Sequence, residues 1–311
     1  MAGQSQVING KAFEYAVAME LQRRLQTSIR PGREAETCRH AFESLTPEFS
    51  ADLERAAVKA VDHILELERR RLSSAVPKQI WIASDDRGQQ GDVRDVVLET
   101  SDGAIGISCK NNHAAFKHSR LSGRVDFVKK WGLDPAGCSE EYWRQVRPIF
   151  AELEVIRKES YGTALWNELP DVAGRFYWPV LDAFDKELTR LSEPGSATAA
   201  TVSKNLVRYI VGQNDFYKVI RRAESVTVQG FNFNGSLATD RTHGPTLVIG
   251  VDRLNGGQYS KTVRLNRGFT FNFRIHNASS RVEPSLKFDI TAVSLPPTEI
   301  YVNHLRVAVD S

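Results

Sequence analysis

The sequence predicts an α/β protein in which helices surround a central mixed sheet and a β-rich region follows toward the C-terminus. Three observations carry that expectation. Phe13, Val17, Leu21 and Leu25 recur every four residues between Asn9 and Leu25, the stripe of an amphipathic helix. Between Trp81 and Cys109 the pattern changes to that of strands, with Asp102-Gly103 set between alternating apolar residues, a strong short-range hairpin signal. From Val226 onward, alternation dominates in VTVQGFNFNG, TLVIGVDRL and FTFNFRIHN.

The remaining elements follow in order. A second helix is expected over about Ser50 to Leu72, with Leu53, Ala57, Val61, Ile64 and Leu65 inward and the Arg69-Arg70-Arg71 run in solvent. Tyr142 to Leu191 reads as helices interrupted by Pro148, Pro170 and Pro179, the stretch SEPGSATAAT (192–201) as a loop, and about Ser203 to Arg222 as a further helix. Trp131, Trp143, Trp166 and Trp178 sit among apolar residues and are expected in the core, as is GFNFNG (230–235). A composition shift near residue 224 divides the chain into an expected core with helical insertions over 1–222 and a β-rich subdomain over 223–311.

Composition excludes several classes. Of 311 residues, 41% are hydrophobic and 25% charged, values of a folded globular chain rather than a disordered one. The formal net charge of +3 permits a polyanionic partner without demanding one. The placement of basic residues says more, because Lys110, Lys117, His118, Arg120, Arg124, Lys129 and Lys130 crowd one segment. Cys38, Cys109 and Cys138 are an odd number with no CxxC spacing, which argues against a disulfide framework or structural zinc and fits a reducing cytoplasm. No signal-peptide core or membrane-length apolar run is present, so a membrane location is not expected.

The hairpin carries the chemistry. If Asp102-Gly103 forms a two-residue turn, Ser101 pairs with Ala104, Val97 with Ser108 and Asp95 with Lys110, making carboxylate and amine direct cross-strand neighbours. Val96, Leu98, Thr100, Ile105, Ile107 and Cys109 then share the opposite face, an apolar set that supports this choice of faces. Asp92 points away from Lys110 by parity unless Gly91 breaks the strand first. The small Ala104, Gly106 and Ser108 leave room for close approach. An ordinary ion pair is one reading of Asp95 and Lys110. The other is phosphodiester hydrolysis, since Mg²⁺ takes one or two carboxylates and a lysine can orient water or stabilise developing negative charge.

An acid opening one strand, a hairpin, and a lysine closing the next resembles the PD-(D/E)xK nuclease core. The sequence departs from that pattern at Ser108-Cys109-Lys110, where serine stands in place of the usual acid. Glu14 on the first helix is the natural substitute carboxylate, with Glu20 and Glu99 as further options. Read together and in order, NGKAFEYA (9–16), GDVRDVV (91–97), KNNHAAFKHSRLS (110–122), DFVKKW (126–131), DFYKVI (215–220) and FRIHNASSRVEPSLKFDI (273–290) resemble the HaeIII-type restriction endonucleases over nearly the whole chain. That resemblance implies a type II endonuclease that needs Mg²⁺ and recognises the palindrome GGCC in double-stranded DNA, cutting between G and C to leave blunt ends. Cutting both strands of a palindrome symmetrically is simplest with two sites, so a homodimer is expected, with a monomer acting twice as the alternative; a DNA methyltransferase is the expected functional partner. Glu14 and Asp95 would then hold the metal, Lys110 would position water, and Asp92 would be a supporting or alternative ligand, all within a nuclease core over 1–222.

Two segments carry groups suited to DNA. Asn112, His113, Lys117, His118 and Arg120 follow the lysine directly; a helix over 112–120 would place His113 and Lys117 on one face. Downstream, Arg274, His276, Asn277, Ser279, Ser280, Arg281, Glu283 and Lys287 fall in one short stretch, read as an exposed loop after a strand. Arg and Lys can bond guanine O6 and N7, and Glu can accept from cytosine N4. A non-catalytic DNA-binding protein on this scaffold and a structure-selective repair nuclease are the alternatives at this point.

Overall fold

The computed structural model describes residues 2–84, 92–111, 117–193, 195–196, 198–253, 259–297 and 300–307. The chain divides into two compact units, one built from Met1–Ala114, Gly212–His243 and Pro297–Ser311, the other from Ala115–Val211 and Gly244–Pro296. The expected boundary at 222/223 falls inside a β-hairpin of the first unit.

The first unit opens with helices α1 (Ala2–Leu25), α2 (Arg33–Glu43), α3 (Pro47–Leu67) and α4 (Arg69–Leu72), interrupted by the two-residue strand β1 (Ser28–Ile29). The strands β2 (Pro77–Ile82), β3 (Val96–Thr100) and β4 (Gly103–Asn111) follow, and β6 (Phe216–Arg222), β7 (Ser225–Phe231) and β12 (Tyr301–Arg306) complete a seven-stranded sheet in the order β1-β2-β3-β4-β6-β7-β12. It is mixed, because β1/β2 and β4/β6 pair parallel and the other neighbours antiparallel. The expected stripe works as predicted: Phe13, Val17 and Leu21 of α1 and Leu53, Ala57, Val61 and Ile64 of α3 are buried with Val96, Leu98, Ile105, Ile107 and Cys109. Removing that apolar surface from water at about 25 cal/mol per Å² is what holds helices to sheet.

The second unit contains β5 (Lys117–Ser122), β8 (Val248–Arg253), β9 (Ser260–Leu265), β10 (Thr270–His276) and β11 (Ser285–Ser294), an antiparallel sheet in the order β5-β11-β10-β9-β8. Its helices are α5 (Phe127–Lys130), α6 (Glu140–Glu159), α7 (Trp178–Leu191) and α8 (Ala199–Val211). One face of this sheet is apolar: Phe273 and Phe288 pack with Phe184 of α7 at ring separations of 5.1 and 5.0 Å, and Trp131 and Phe127 close the cluster. Trp131 and Trp166 are buried as expected. Trp143 and Trp178 are half-buried, each with a guanidinium over its ring, from Arg147 and Arg253.

Three local expectations are corrected. The helix expected over 203–222 ends at Val211, and Phe216–Arg222 is strand β6. The β-branched and aromatic run FYKVI favours a strand, while Asp215 fixes the preceding turn by accepting from the Asn234 and Ser236 backbone N–H groups, 2.8 Å each. Arg71, expected in solvent with its neighbours, instead donates to the Ser236 and Asp102 carbonyls at 2.7 and 2.9 Å and lies beside the buried Glu68. The hairpin register also differs. Thr100 pairs with Gly103 and Val97 with Gly106, so the two-residue loop is Ser101-Asp102 rather than Asp102-Gly103. The positive φ of 107° falls at Gly103, the first residue of the returning strand, and Thr100 Oγ1 closes the turn by donating to the Gly103 carbonyl at 3.0 Å. Because Val97 faces Gly106 in place of Ser108, the slip is two residues, an even number that leaves every side chain on its expected face.

Candidate active site

Asp95 lies one residue before β3 and donates its N–H to the carbonyl of Ile107, the residue paired with Val96, at 2.9 Å, so its backbone does not stand opposite Lys110. Three donors nevertheless converge on one oxygen. Asp95 Oδ2 accepts from the Cys109 backbone N–H at 2.7 Å, from Ser108 Oγ at 3.1 Å and from Lys110 Nζ at 3.2 Å. The expected direct cross-strand pair is thus a diagonal contact, reached because the lysine side chain spans what the even slip removed. Serine at 108 has an evident local effect: a hydroxyl there can bond Asp95, where a carboxylate would repel it.

Glu14 comes to the same site from α1. The residue is 8% exposed and its carboxyl is pushed up to about 7, first by burial and then by the charge of Asp95, with Lys11, Lys110 and Cys38 pulling the other way. Lys11 Nζ at 3.4 Å and Cys38 Sγ at 3.5 Å both approach Glu14 Oε2. The other acids proposed for this place are engaged elsewhere. Glu20 takes Arg23 at 2.6 Å, and Glu99 accepts from Gln79 and Trp81 at 2.7 and 2.9 Å.

Lys110 feels opposing forces. Burial lowers its pKa, but the charge and hydrogen bond of Asp95, with Glu14 behind, outweigh it and the net shift is upward, so Lys110 stands as an ammonium. A second lysine, missed in the sequence, enters here. Lys218 on β6 is in register with Ser108 and 2% exposed; burial and then the charge of Lys110 bring it down to about 7, with Asp95 partly offsetting them. The sequence did carry its signal in DFYKVI, but a helical reading of that segment hid the pairing with β4.

Asp92 is occupied differently. Both of its oxygens take the Arg94 guanidinium at 2.7 Å, and although burial opposes ionisation, these bonds hold its carboxyl below the usual range. The Arg94 stem crosses Gly106, where a Cβ would lie 2.0 Å from Arg94 Cδ. The room left by small residues is therefore filled at Gly106 by this arginine.

The donor set suits a hard divalent cation. Glu14 and Asp95 are two carboxylates, and the charge of Asp95 adds to burial in raising Glu14, a repulsion that a bound cation would relieve. Among the described residues no group of three or more His, Cys, Asp or Glu that could hold a metal ion gathers, at this site or elsewhere.

The DNA-facing expectations divide between the two segments. Asn112 and His113 lie outside the described residues. Lys117, His118 and Arg120 belong to strand β5, so a helix through 112–120 is ruled out; pairing with β11 supplies the hydrogen bonds that a helix would have made internally. Arg120 bonds Glu283 at 2.7 Å. Arg274, His276 and Lys287 stand on strands rather than on a loop, and all three, with His118, reach Asp289. Asn277, Ser279, Ser280 and Arg281 form the turn between β10 and β11; Asn277 Nδ2 donates to the Ser279 carbonyl, and Ser279 Oγ donates to the Arg281 carbonyl and to Glu283. Ser280 and Arg281 are exposed.

Among the described residues no helix is long and apolar enough to cross a membrane. Residues 10–296 match the family model described as HaeIII restriction endonuclease. The type II restriction enzyme HaeIII of Haemophilus aegyptius is 32% identical over 312 residues, which cover 94% of this chain and 95% of that protein. No solved structure matches.

Proposed function

Because the chain belongs to the HaeIII restriction endonuclease family and is a site-specific deoxyribonuclease of a restriction–modification system, we propose that it is a Mg²⁺-dependent enzyme of the PD-(D/E)xK class that cuts double-stranded GGCC between G and C. Blunt ends, action as a homodimer and protection of the host sequence by a paired DNA methyltransferase complete this reading; two identical sites related by a twofold axis match a palindrome. The observation that carries it is the convergence of Asp95, Lys110 and Glu14, with Asp95 Oδ2 3.2 Å from Lys110 Nζ.

Glu14 and Asp95 would hold the cation. When bound, Mg²⁺ supplies polarisation of the phosphate and a water of lowered pKa. The chain's own groups do the rest. Ser108 Oγ and the Cys109 N–H fix Asp95, so its free edge is set before DNA arrives. Lys110, an ammonium in the resting site, donates to the attacking water and to the negative charge that develops on the phosphate. Lys218 adds positive charge beside Ser108 where the pH falls below about 7. Asp92 acts from outside this set by locking Arg94 over β4.

Incubation with plasmid and Mg²⁺, followed by sequencing of the ends, tests the proposal. Discrete blunt fragments cut within GGCC are expected. Staggered ends, another sequence, or cutting undiminished in EDTA would overturn the corresponding part of it.

A further inference from the structure

The polar face of the second unit's sheet holds an arrangement that no sequence motif announces. Along β10 and β11, Phe271, Phe273, Ile275, Leu286, Phe288 and Ile290 are buried, while Arg274, His276, Lys287 and Asp289 occupy the alternate, half-buried positions. Two cross-strand rows result. His118, Asp289 and Arg274 stand in register across β5, β11 and β10, and Arg120, Lys287 and His276 form the neighbouring row.

Asp289 is the acid at the crossing. Its Oδ1 meets His118 Nδ1 at 2.5 Å and Lys287 Nζ at 3.5 Å; its Oδ2 meets His276 Nε2 at 2.7 Å and Arg274 at 3.1 Å. Burial opposes its ionisation, yet the hydrogen bonds from His118 and His276, the charge of His118 and the bond from Arg274 hold its carboxyl well below the usual range. Partly exposed ion pairs contribute little to stability, and crowding four basic groups around one carboxylate is a poor way to stabilise a sheet. What the arrangement does accomplish is orientation. Arg274, Lys287 and His118 have spent rotamer freedom on Asp289 and keep donors that it does not use, while His276 is held at both ring nitrogens, by Asp289 and by the Asn277 carbonyl.

We propose that Asp289 is the positioning residue of the DNA-reading face: it fixes the directions in which Arg274, Lys287 and His118 donate to a duplex, and thereby sets discrimination between sequences. The proposal rests on the reading that this face meets DNA. It also assigns the carboxylate an opposing role in general affinity, since a negative charge among the cations repels the phosphate backbone wherever the protein lands. Asp289 therefore trades non-specific affinity for selectivity.

The test compares binding, by fluorescence anisotropy in Ca²⁺, to a duplex carrying the sequence mapped by cleavage and to a duplex lacking it. Asp289→Asn is expected to tighten binding to the second duplex, with a salt slope steeper by about one, while the ratio of the two affinities falls by about tenfold or more. Asp289→Glu keeps the charge and moves the carboxylate by one methylene; it is expected to leave non-specific affinity near wild type and still lose discrimination. An equal change in both affinities for Asp289→Asn, in either direction, or full discrimination in Asp289→Glu, overturns the proposal. Arg274→Ala with Lys287→Ala separates the underlying reading: unchanged affinity and salt slope for both duplexes would mean that the face does not meet DNA at all.

Discussion

Asp95 Oδ2 lies 3.2 Å from Lys110 Nζ although the two residues are not paired across the hairpin. The contact is made because the lysine side chain reaches the Asp95 carboxylate, and it gives the ammonium a fixed position rather than a range of them. Replacing Lys110 by Ala is therefore expected to lower single-turnover cleavage by about 10²–10³-fold, the usual cost of removing one preorganised donor, with the Kd for DNA within a fewfold of wild type. Cleavage at the wild-type rate would remove Lys110 from the mechanism.

Glu14 makes the stability of the metal-free protein depend on pH. Its folded pKa of about 7 stands above the ordinary value of 4.5, so the folded state retains a proton that the unfolded chain has lost. The contribution is fully present below pH about 4.5 and is lost as pH rises through about 7, a change on the order of 3 kcal/mol. Glu14→Gln should flatten this part of the profile. Urea midpoints of wild type and variant across the window give the comparison, and parallel profiles would show that Glu14 does not titrate there.

A divalent cation should reverse that loss. If Glu14 and Asp95 hold the ion together, Ca²⁺ added without DNA at pH about 8 is expected to raise the Tm of wild type by mass action, and the increment should vanish in Asp95→Asn and shrink in Glu14→Gln. An equal increment in all three proteins would place the binding elsewhere.

Much of this site was legible in the sequence, and the misses have physical causes. The stripe through Phe13, Val17 and Leu21 delivered Glu14 to the site because a helix must bury its apolar face, and no residue along α1 broke the period. The shared face of Val97, Ser108 and Lys110 was readable because alternation fixes parity; the register was not, because Asp-Gly is compatible with a loop that contains the glycine and with one that ends before it, at Asp102. Asp289 was invisible for a different reason. Its neighbours His118 and Arg274 are distant in sequence and meet it only through strand pairing, which local pattern does not encode. Lys218 shared that fate, since its partner strand β4 is parallel and nonadjacent in the chain.

Lys218 yields the last prediction, in which stability and activity move in opposite directions. The residue is buried against Lys110, and its pKa of about 7 lies far below the ordinary 10.5. A depressed base costs stability where it is forced to carry charge: its contribution is present above about pH 10.5 and is lost as pH falls toward 7. Lys218→Met, close in volume and without the charge, is therefore expected to unfold at a higher urea concentration than wild type near pH 6, with the advantage shrinking as pH rises toward 10. A site built for a polyanion can retain such a repulsion because the substrate relieves it, the usual conflict between stability and function. The same variant is expected to cleave about tenfold or more slowly near pH 6, where the wild-type lysine is charged, and to approach wild type near pH 9, where it is not. A variant that is both less stable and uniformly slower at every pH would mean that Lys218 serves packing alone.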